Sequence, residues 1–592
     1  MRLVYNEKYP EVDSNMSDCQ MGGRKHKGCR NNIFIVNGII HDVMSSVKKS
    51  PVLLQIYDYR QMFDAINLEE AISDVYDAGV RDDNLALIYR ANENINMAVN
   101  TPSGLSERQT ITNVVLQGDT WSSLLASVQV DSIGKEVEKT GYGYRYKDVL
   151  PVTLLGLVDD MIGITDAGFK AQQLNAVLNA RTADKQLQFG PTKCKTMLVS
   201  KKPEHVLNSQ LTVDNWEVEY EKNTSTGESE LVETFRGLVS IDKTDNKKYL
   251  GFTISRKGDN MVNINEMKNK SIWIIRKIFT RLESLNLKKY YFECALIFLN
   301  VMLRSSILYA CEAYYNLKET EIRQIERIEE GFLRQLFKTS KGCPISQLYL
   351  EAGHTPARFY IFQSRLLFLK YILHEDPDSM IYKFFKLQME NPTKGDWVSS
   401  CVRDLEFLKI EMSIEEIKNI SLNRFRNILK EAIAQKAFEY LIEKRGSKGQ
   451  EISYTCLKMS DYLMPNSSGL SVTGQRYIFS VRNKMIFLPA NFPLNMKETN
   501  MKCACGDKED MRHVYVCTHW NTEREEIEYD MIYTDNISQI VKVYKRFEKN
   551  YQTREKYRSE NNEKTESEKI TLHGIPNRDP LLSLFETCNG FK

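Results

Sequence analysis

Leu157-Val158-Asp159-Asp160 lies between two apolar runs, Val149 to Leu157 and Met161 to Ile164. Both are rich in Val, Leu and Ile and short enough to be strands. Two strands joined at an Asp-Asp tip make a hairpin that carries two carboxylates off the end of a sheet. Asp favours turns on its own account, so solvation alone explains many such tips. The other use of the pair is to hold a divalent cation, which removes the repulsion between the carboxylates.

The chain upstream decides between these uses. The apolar strand Pro51 to Tyr57 ends on Asp58, with an aromatic, Phe63, five residues further on. Gln117-Gly118-Asp119 then opens an apolar helical stretch through Leu124, Leu125 and Val128. Asp58, Gln117-Gly118 and Asp159-Asp160, in this order and at this spacing, resemble the palm of a reverse transcriptase of the LINE-type, non-LTR retrotransposon kind. The match is not literal. Leu157-Val158 stands where the family has an aromatic or small residue, and Thr120-Trp121-Ser122-Ser123 replaces a continuation that usually contains two prolines.

The resemblance implies an α+β fold: a right-hand polymerase palm, with an antiparallel sheet and helices, followed by a large all-α thumb and connection and a small zinc-knuckle-like module. It divides the chain into partial fingers (1–45), palm (46–258), thumb (259–345), a helical post-thumb region (346–495), the Cys/His module (496–525) and a charged tail (526–592). It also implies roles. Asp58 and Asp159 would bridge two Mg²⁺ ions, with Asp160 as an ancillary ligand. Phe63 would pack under the sugar and exclude a 2′-hydroxyl, while Gln117 and Gly118 would lie against template and nucleotide. Within Phe189-Gly190-Pro191-Thr192-Lys193-Cys194-Lys195, which is similar to the fourth palm motif, Lys193 would stand by the leaving pyrophosphate, with Lys195 its competitor. Lys248 to Ile254 resembles the strand that supports the primer, and Glu351 to Pro356 the post-thumb region. The implied partners are an RNA template, a DNA primer or target and deoxynucleoside triphosphates.

Gly22-Gly23-Arg24-Lys25-His26-Lys27 precedes a helix-like run, Ile33 to Val43, where the family carries a Gly-aromatic-Arg motif. Arg24 and Lys25 would meet the triphosphate from there. The strands that ordinarily support this loop have no counterpart upstream. A mobile loop and a weak nucleotide clamp are therefore expected from a front end that looks truncated.

Composition agrees with a globular protein: 592 residues, 42% hydrophobic and 27% charged. The net charge of +2 gives nucleic acid no general attraction, so binding requires local basic clusters. Tyr290 to Tyr315 is apolar but interrupted by Glu293, Asn300, Arg304 and Glu312, which fits a buried helix and no membrane span. An N-terminus without an apolar signal and singly scattered cysteines point to an intracellular protein of the nucleus or cytoplasm. The helix pattern beyond 262 places Ile322, Ile325, Ile328, Phe332 and Leu336 on one stripe, with Arg323, Glu326, Arg327, Glu330 and Arg334 expected on a solvated face. Lys545 to Lys569 has the composition of a solvated helix or a disordered tail.

Cys503, Cys505, His513 and Cys517 supply four ligands of the kind tetrahedral Zn²⁺ takes, although Cys-x-Cys is one residue shorter than the usual opening pair. His519 is an alternative fourth ligand. Two functions are in contention: a reverse transcriptase that extends a nicked DNA 3′ end on RNA, and a nucleic-acid-binding relic without polymerase activity.

Overall fold

The computed structural model describes residues 9–45, 49–111, 115–116, 118–119, 121–202, 211–222, 229–339, 341–445, 452–465, 470–486, 502–520 and 527–560. The chain divides into two compact units: Met1–Asn263 with Ala310–Leu317 and Arg365–Asp404, and Ile264–Tyr309 with Lys318–Ser364 and Leu405–Lys592.

In the first unit, Val52–Tyr57 (β1) is buried at every position and is the middle strand of a five-stranded sheet. Its neighbours are Asp160–Asp166 (β3) and Lys195–Val199 (β4), both antiparallel to it. Leu154–Leu157 (β2) pairs with β3 at one edge, and the two-residue Asp242–Lys243 (β5) runs parallel to β4 at the other. A strand flanked on both sides and covered on both faces is apolar throughout rather than alternating, which is how β1 reads. Three long helices surround the sheet: α1 (Cys29–Ser45), α2 (Ser122–Glu138) and α3 (Phe169–Asp184). Leu53 and Tyr57 of β1 share a core with Leu124 and Leu125 of α2 and Leu174 and Leu178 of α3.

Two expected strands are broken. Leu150–Val152 leaves the main sheet to pair with Tyr144–Tyr146, so only β2 remains of the run from Val149. Pro151 lacks the N–H that a sheet interior demands, and it sits in the small ribbon instead. Lys248 to Ile254 is also no single strand. Asn246–Tyr249 and Phe252–Ser255 form a hairpin, turned at Leu250 and Gly251 with φ of 49° and 80°. Two consecutive left-handed residues are what a tight hairpin requires.

Helix α1 is buried along most of its length by segments far downstream. The ring of Phe34 meets those of Tyr315, Phe368, Phe384 and Trp397 with centroids 5.1–5.7 Å apart. Gly38 permits the approach, since a Cβ there would lie 2.5 Å from the Phe384 ring. Residues 365–404, expected in the post-thumb region, thus belong with the palm.

The second unit is mainly helical. The stripe from Ile322 to Leu336 on helix Glu319–Phe337 is buried as its spacing predicts. The expected solvated face is solvated only in part: Arg327 is exposed and Arg323 half-buried, but Glu326, Glu330 and Arg334 are buried, as is the neighbouring Glu329. Arg358 pairs with Glu326 at 2.6 Å, Arg304 with Glu329 at 2.5 Å, and Arg323 with Glu330. Arg358 and Arg304 lie on other helical segments, so the sequence of this helix could not reveal them. Lys288–Ala313 is long and apolar enough by composition to cross a membrane. Within it, however, Arg304 is buried in its ion pair, and the run is broken into short pieces that include a π-helical turn at Leu299–Arg304. Of the charged segment Lys545 to Lys569, the part up to Glu560 belongs to helix Ile537–Glu560, whose lysines are exposed while Asn550 and Arg554 are buried; residues 561–569 lie outside the described residues. Arg554 pairs with buried Glu509 at 2.6 Å, and Asn550 donates to the carbonyls of Val514 and Tyr515.

Glu351 is fully buried and pairs with Arg482 at 3.0 Å. Arg482→Met leaves that carboxylate uncompensated, and the expected loss of stability is about 3–5 kcal/mol, read from urea denaturation. The double change Arg482→Met with Glu351→Leu is expected to cost less than Arg482→Met alone.

Candidate active site and metal centre

Strand register brings the carboxylates together. Tyr57 pairs with Met161, and one further step along both strands sets Asp58 opposite Asp160. Leu157 pairs with Asp160, so the turn residues are Val158 and Asp159, and Asp160 opens β3 rather than sharing the tip. All three carboxylates are half-buried. Burial, followed by the charge of Asp58, pushes Asp159 up from its ordinary value. Asp160 rises to about 6, first through burial and then through the charges of Asp159 and Asp58. Carboxylates destabilised by one another are a donor set suited to a hard divalent cation.

Lys193 reaches this cluster, with Nζ 3.0 Å from Asp58 Oδ1. Its backbone is set by a turn in which Gly190 N–H donates to the Asp58 carbonyl and Lys193 N–H to the Gly190 carbonyl. Lys195 points elsewhere and pairs with Asp242 at 2.6 Å. A second cation, Lys247, went unrecognised in the sequence. Its Nζ donates to the Lys193 carbonyl at 3.1 Å, and its charge acts to lower Asp160. Nothing local marks it, because its partner lies 54 positions away.

Phe63 follows Asp58 on the short helix Met62–Ala65 and is half-buried against the palm core. Tyr59 stacks on Phe189 at 5.0 Å and donates to Met161 Sδ. Gln117 lies outside the described residues. Gly118 is exposed with φ of 94°, in a turn closed by Asp119 N–H on the Leu116 carbonyl. Helix α2 starts at Ser122, later than the sequence implied.

In the loop at 20–27 the two cations expected to meet the triphosphate are placed differently. Arg24 is buried, and its guanidinium donates to Asp13 Oδ1 and to the carbonyls of Asp13, Ser17 and Gln20. It supports its own loop instead of presenting a charge to a phosphate. Lys27 pairs with Asp18, and Lys25 is exposed. The loop is held against β2: Met21 N–H donates to the Gly156 carbonyl, and Gly156 N–H to that of Cys19.

In the second unit, Cys503, Cys505, His513 and Cys517 converge, with their ligand atoms within 4.8 Å of one another. The Cys503–Cys517 and Cys517–Cys505 sulfurs are 3.8 and 3.9 Å apart, and Cys505 Sγ is 3.2 Å from His513 Nε2. Zn–S bonds of about 2.3 Å set tetrahedral sulfurs about 3.8 Å apart. The short Cys-x-Cys opening is accommodated by Gly506, at φ of 95°, whose N–H donates to the Cys503 carbonyl. Asp510 caps helix Met511–Val516 through His513 N–H, and Cys517 ends it. His519 stands apart, packed edge-on against Trp520 and Tyr557. Burial pushes the Cys503 thiol up to about 12, so a cation is needed to hold it as thiolate.

Residues 3–254 match the family described as reverse transcriptase (RNA-dependent DNA polymerase). This segment accordingly carries the sequence pattern of that family, over somewhat less than half of the chain. No curated protein matches the chain. Among solved structures, telomerase from Candida albicans and telomerase from Candida tropicalis, both with a TWJ fragment of telomeric RNA, are similar at 10% and 11% identity and TM-scores of 0.30 and 0.28. The matches cover 71% and 65% of this chain, and the chain spans only 58% and 55% of theirs.

Without a cation the three carboxylates are a liability to the fold. Asp160→Asn is therefore expected to raise the melting temperature of the metal-free protein by about 2 °C or more, measured in EDTA by differential scanning fluorimetry.

Proposed function

We propose that the chain extends a DNA 3′ end on an RNA template, as the reverse transcriptase of a non-LTR retrotransposon. The observation that carries this reading is the delivery of Asp58, Asp159, Asp160 and Lys193 to one end of the sheet by three separate stretches of chain. In the reaction the primer 3′-hydroxyl loses its proton and its oxygen bonds to the α-phosphorus. The α-phosphorus–oxygen bond to the β-phosphate breaks, and pyrophosphate leaves with the electron pair. Two Mg²⁺ ions held by Asp58, Asp159 and Asp160 would lower the hydroxyl pKa and stabilise the attacking and leaving oxygens. The residues present suit that task, since each carboxylate sits at a strand end beside another of like charge. Lys193 is placed to move from Asp58 to the departing pyrophosphate and give it a proton, which solvent restores to the amine. Phe63 fills the space beneath the sugar, so that a 2′-hydroxyl is excluded. Gln117 and Gly118 would face template and nucleotide.

The Cys503, Cys505, His513, Cys517 cluster would hold one structural Zn²⁺, because four protein ligands close the tetrahedron and leave no position for substrate. With deoxynucleotides, RNA and a DNA primer as partners, the site of action is intracellular, where nucleic acids are reached.

Primer extension on RNA with the purified chain is expected in Mg²⁺ and absent in EDTA, with Asp159→Asn at least about a thousandfold slower. Phe63→Ala is expected to admit ribonucleotides in single-nucleotide incorporation. An active wild type with unaltered sugar choice in the variant would return Phe63 to a packing role. Chain purified without chelator is expected to carry one zinc per molecule by elemental analysis, and Cys503→Ser to lose it.

A further inference from the structure

The turn that carries Asp159 is held in a conformation its own residues disfavour. Val158 has φ of 59°, in the left-handed region, where a β-branched side chain is strained. The Gln20 side chain pays for this from outside the hairpin. It is fully buried; its Oε1 accepts from Val158 N–H at 2.9 Å and its Nε2 donates to the Val158 carbonyl at 3.1 Å. The same Oε1 accepts from Gly22 N–H at 2.7 Å, which fixes the amide's orientation. One primary amide thus satisfies both backbone groups of the strained residue, as a neighbouring strand would.

The surroundings are fitted to this contact. A Cβ on Gly22 would fall 2.4 Å from Val158 N, so only glycine lets the loop approach. Gln20 bridges to Gly156 in parallel register, and the flanking bonds between Met21, Gly156 and Cys19 hold the loop against β2. Asn32 of α1 adds a bond to the Gly156 carbonyl at 3.0 Å and another to the Tyr249 hydroxyl at 3.3 Å. Apart from the Asn32–Tyr249 bond, these contacts act on the backbone of Gly156 and Val158, just before Asp159 and Asp160, and none touches a carboxylate.

We infer that Gln20 is a positioning residue for the catalytic turn: its amide clamp on Val158 sets the direction of the Asp159 and Asp160 carboxylates, and hence the affinity of the centre for its cation. The inference rests on the polymerase reading for its kinetic consequence but not for its effect on cation binding. Donor groups displaced by about 1 Å lose about a hundredfold in rate, and a hard cation discriminates by ligand placement.

Gln20→Met keeps the volume and removes both hydrogen bonds, whereas Gln20→Glu keeps the acceptor and removes the donor. The probe is Mg²⁺ alone, read as the concentration giving half of the Mg²⁺-induced rise in melting temperature. The second readout is single-nucleotide incorporation with active sites counted. Both variants are expected to need at least about fivefold more Mg²⁺, and to lose about tenfold or more in kcat with the nucleotide KM within about twofold. If Gln20→Met does not fold, Gln20→Glu decides. Unchanged Mg²⁺ dependence in the folded variants overturns the inference, as does a rate loss explained wholly by fewer active molecules. A wild type that binds Mg²⁺ but extends no primer would sink the polymerase reading alone, and the shifted Mg²⁺ dependence would still establish the clamp.

Discussion

Repulsion among Asp58, Asp159 and Asp160 is the constraint around which the first unit is built. Three half-buried carboxylates at one sheet edge raise the free energy of the fold until a cation arrives. Only a register pinned elsewhere can hold them there. β1 supplies that pinning, because it is buried along its length and paired on both sides. A slip against β3 would take Asp58 out of step with Asp160 and move Leu53 and Tyr57 from the core they share with α2 and α3. Lys193 and Lys247 offset part of the charge meanwhile, through direct contact with Asp58 and through proximity to Asp160.

The price of a rigid catalytic edge is a core closed by distant chain. Phe34 of α1 finds its partners at 315, 368, 384 and 397, so the palm's outer layer is complete only when residues up to Asp404 have folded. Contacts of such sequence separation are slow to form. The loop at 20–27 is held in turn by the edge of β2, to which Asn32 of α1 also bonds.

The second unit is held differently. Its helices bury carboxylates and guanidiniums in pairs, at Glu326–Arg358, Glu329–Arg304, Glu351–Arg482 and Glu509–Arg554. Such pairs return little net stability compared with apolar packing, but any misalignment strands a buried charge. Glu509 lies between the cysteine pair and His513, and its partner Arg554 lies on the last described helix. The Cys/His cluster and the docking of that helix are therefore joined through one short segment.

Much of the candidate site's placement was legible in the sequence, because its elements are local. A strand ending in Asp58, an aromatic one helical turn beyond it, a hairpin bearing Asp159 and Asp160, and a turn before Lys193 each announce themselves through periodicity and turn chemistry. The Cys/His set was legible for the same reason, since four ligands within fifteen residues need little from the rest of the chain. What tertiary structure decided was everything that depends on a partner far away. Arg24 reads as an exposed cation until Asp13 and three carbonyls enclose it. The charged face of Glu319–Phe337 reads as solvated until Arg304 and Arg358 from other segments pair with its glutamates, and the last described helix until Glu509 pairs with its Arg554. Gln20 and Lys247 carry no signal at all, because an uncharged amide and a surface lysine acquire meaning only from the strained carbonyl or the loop they meet. Local pattern encodes which face of an element is apolar. It does not encode which polar group will find its counterpart, because that pairing is made by chain closure over tens to hundreds of residues.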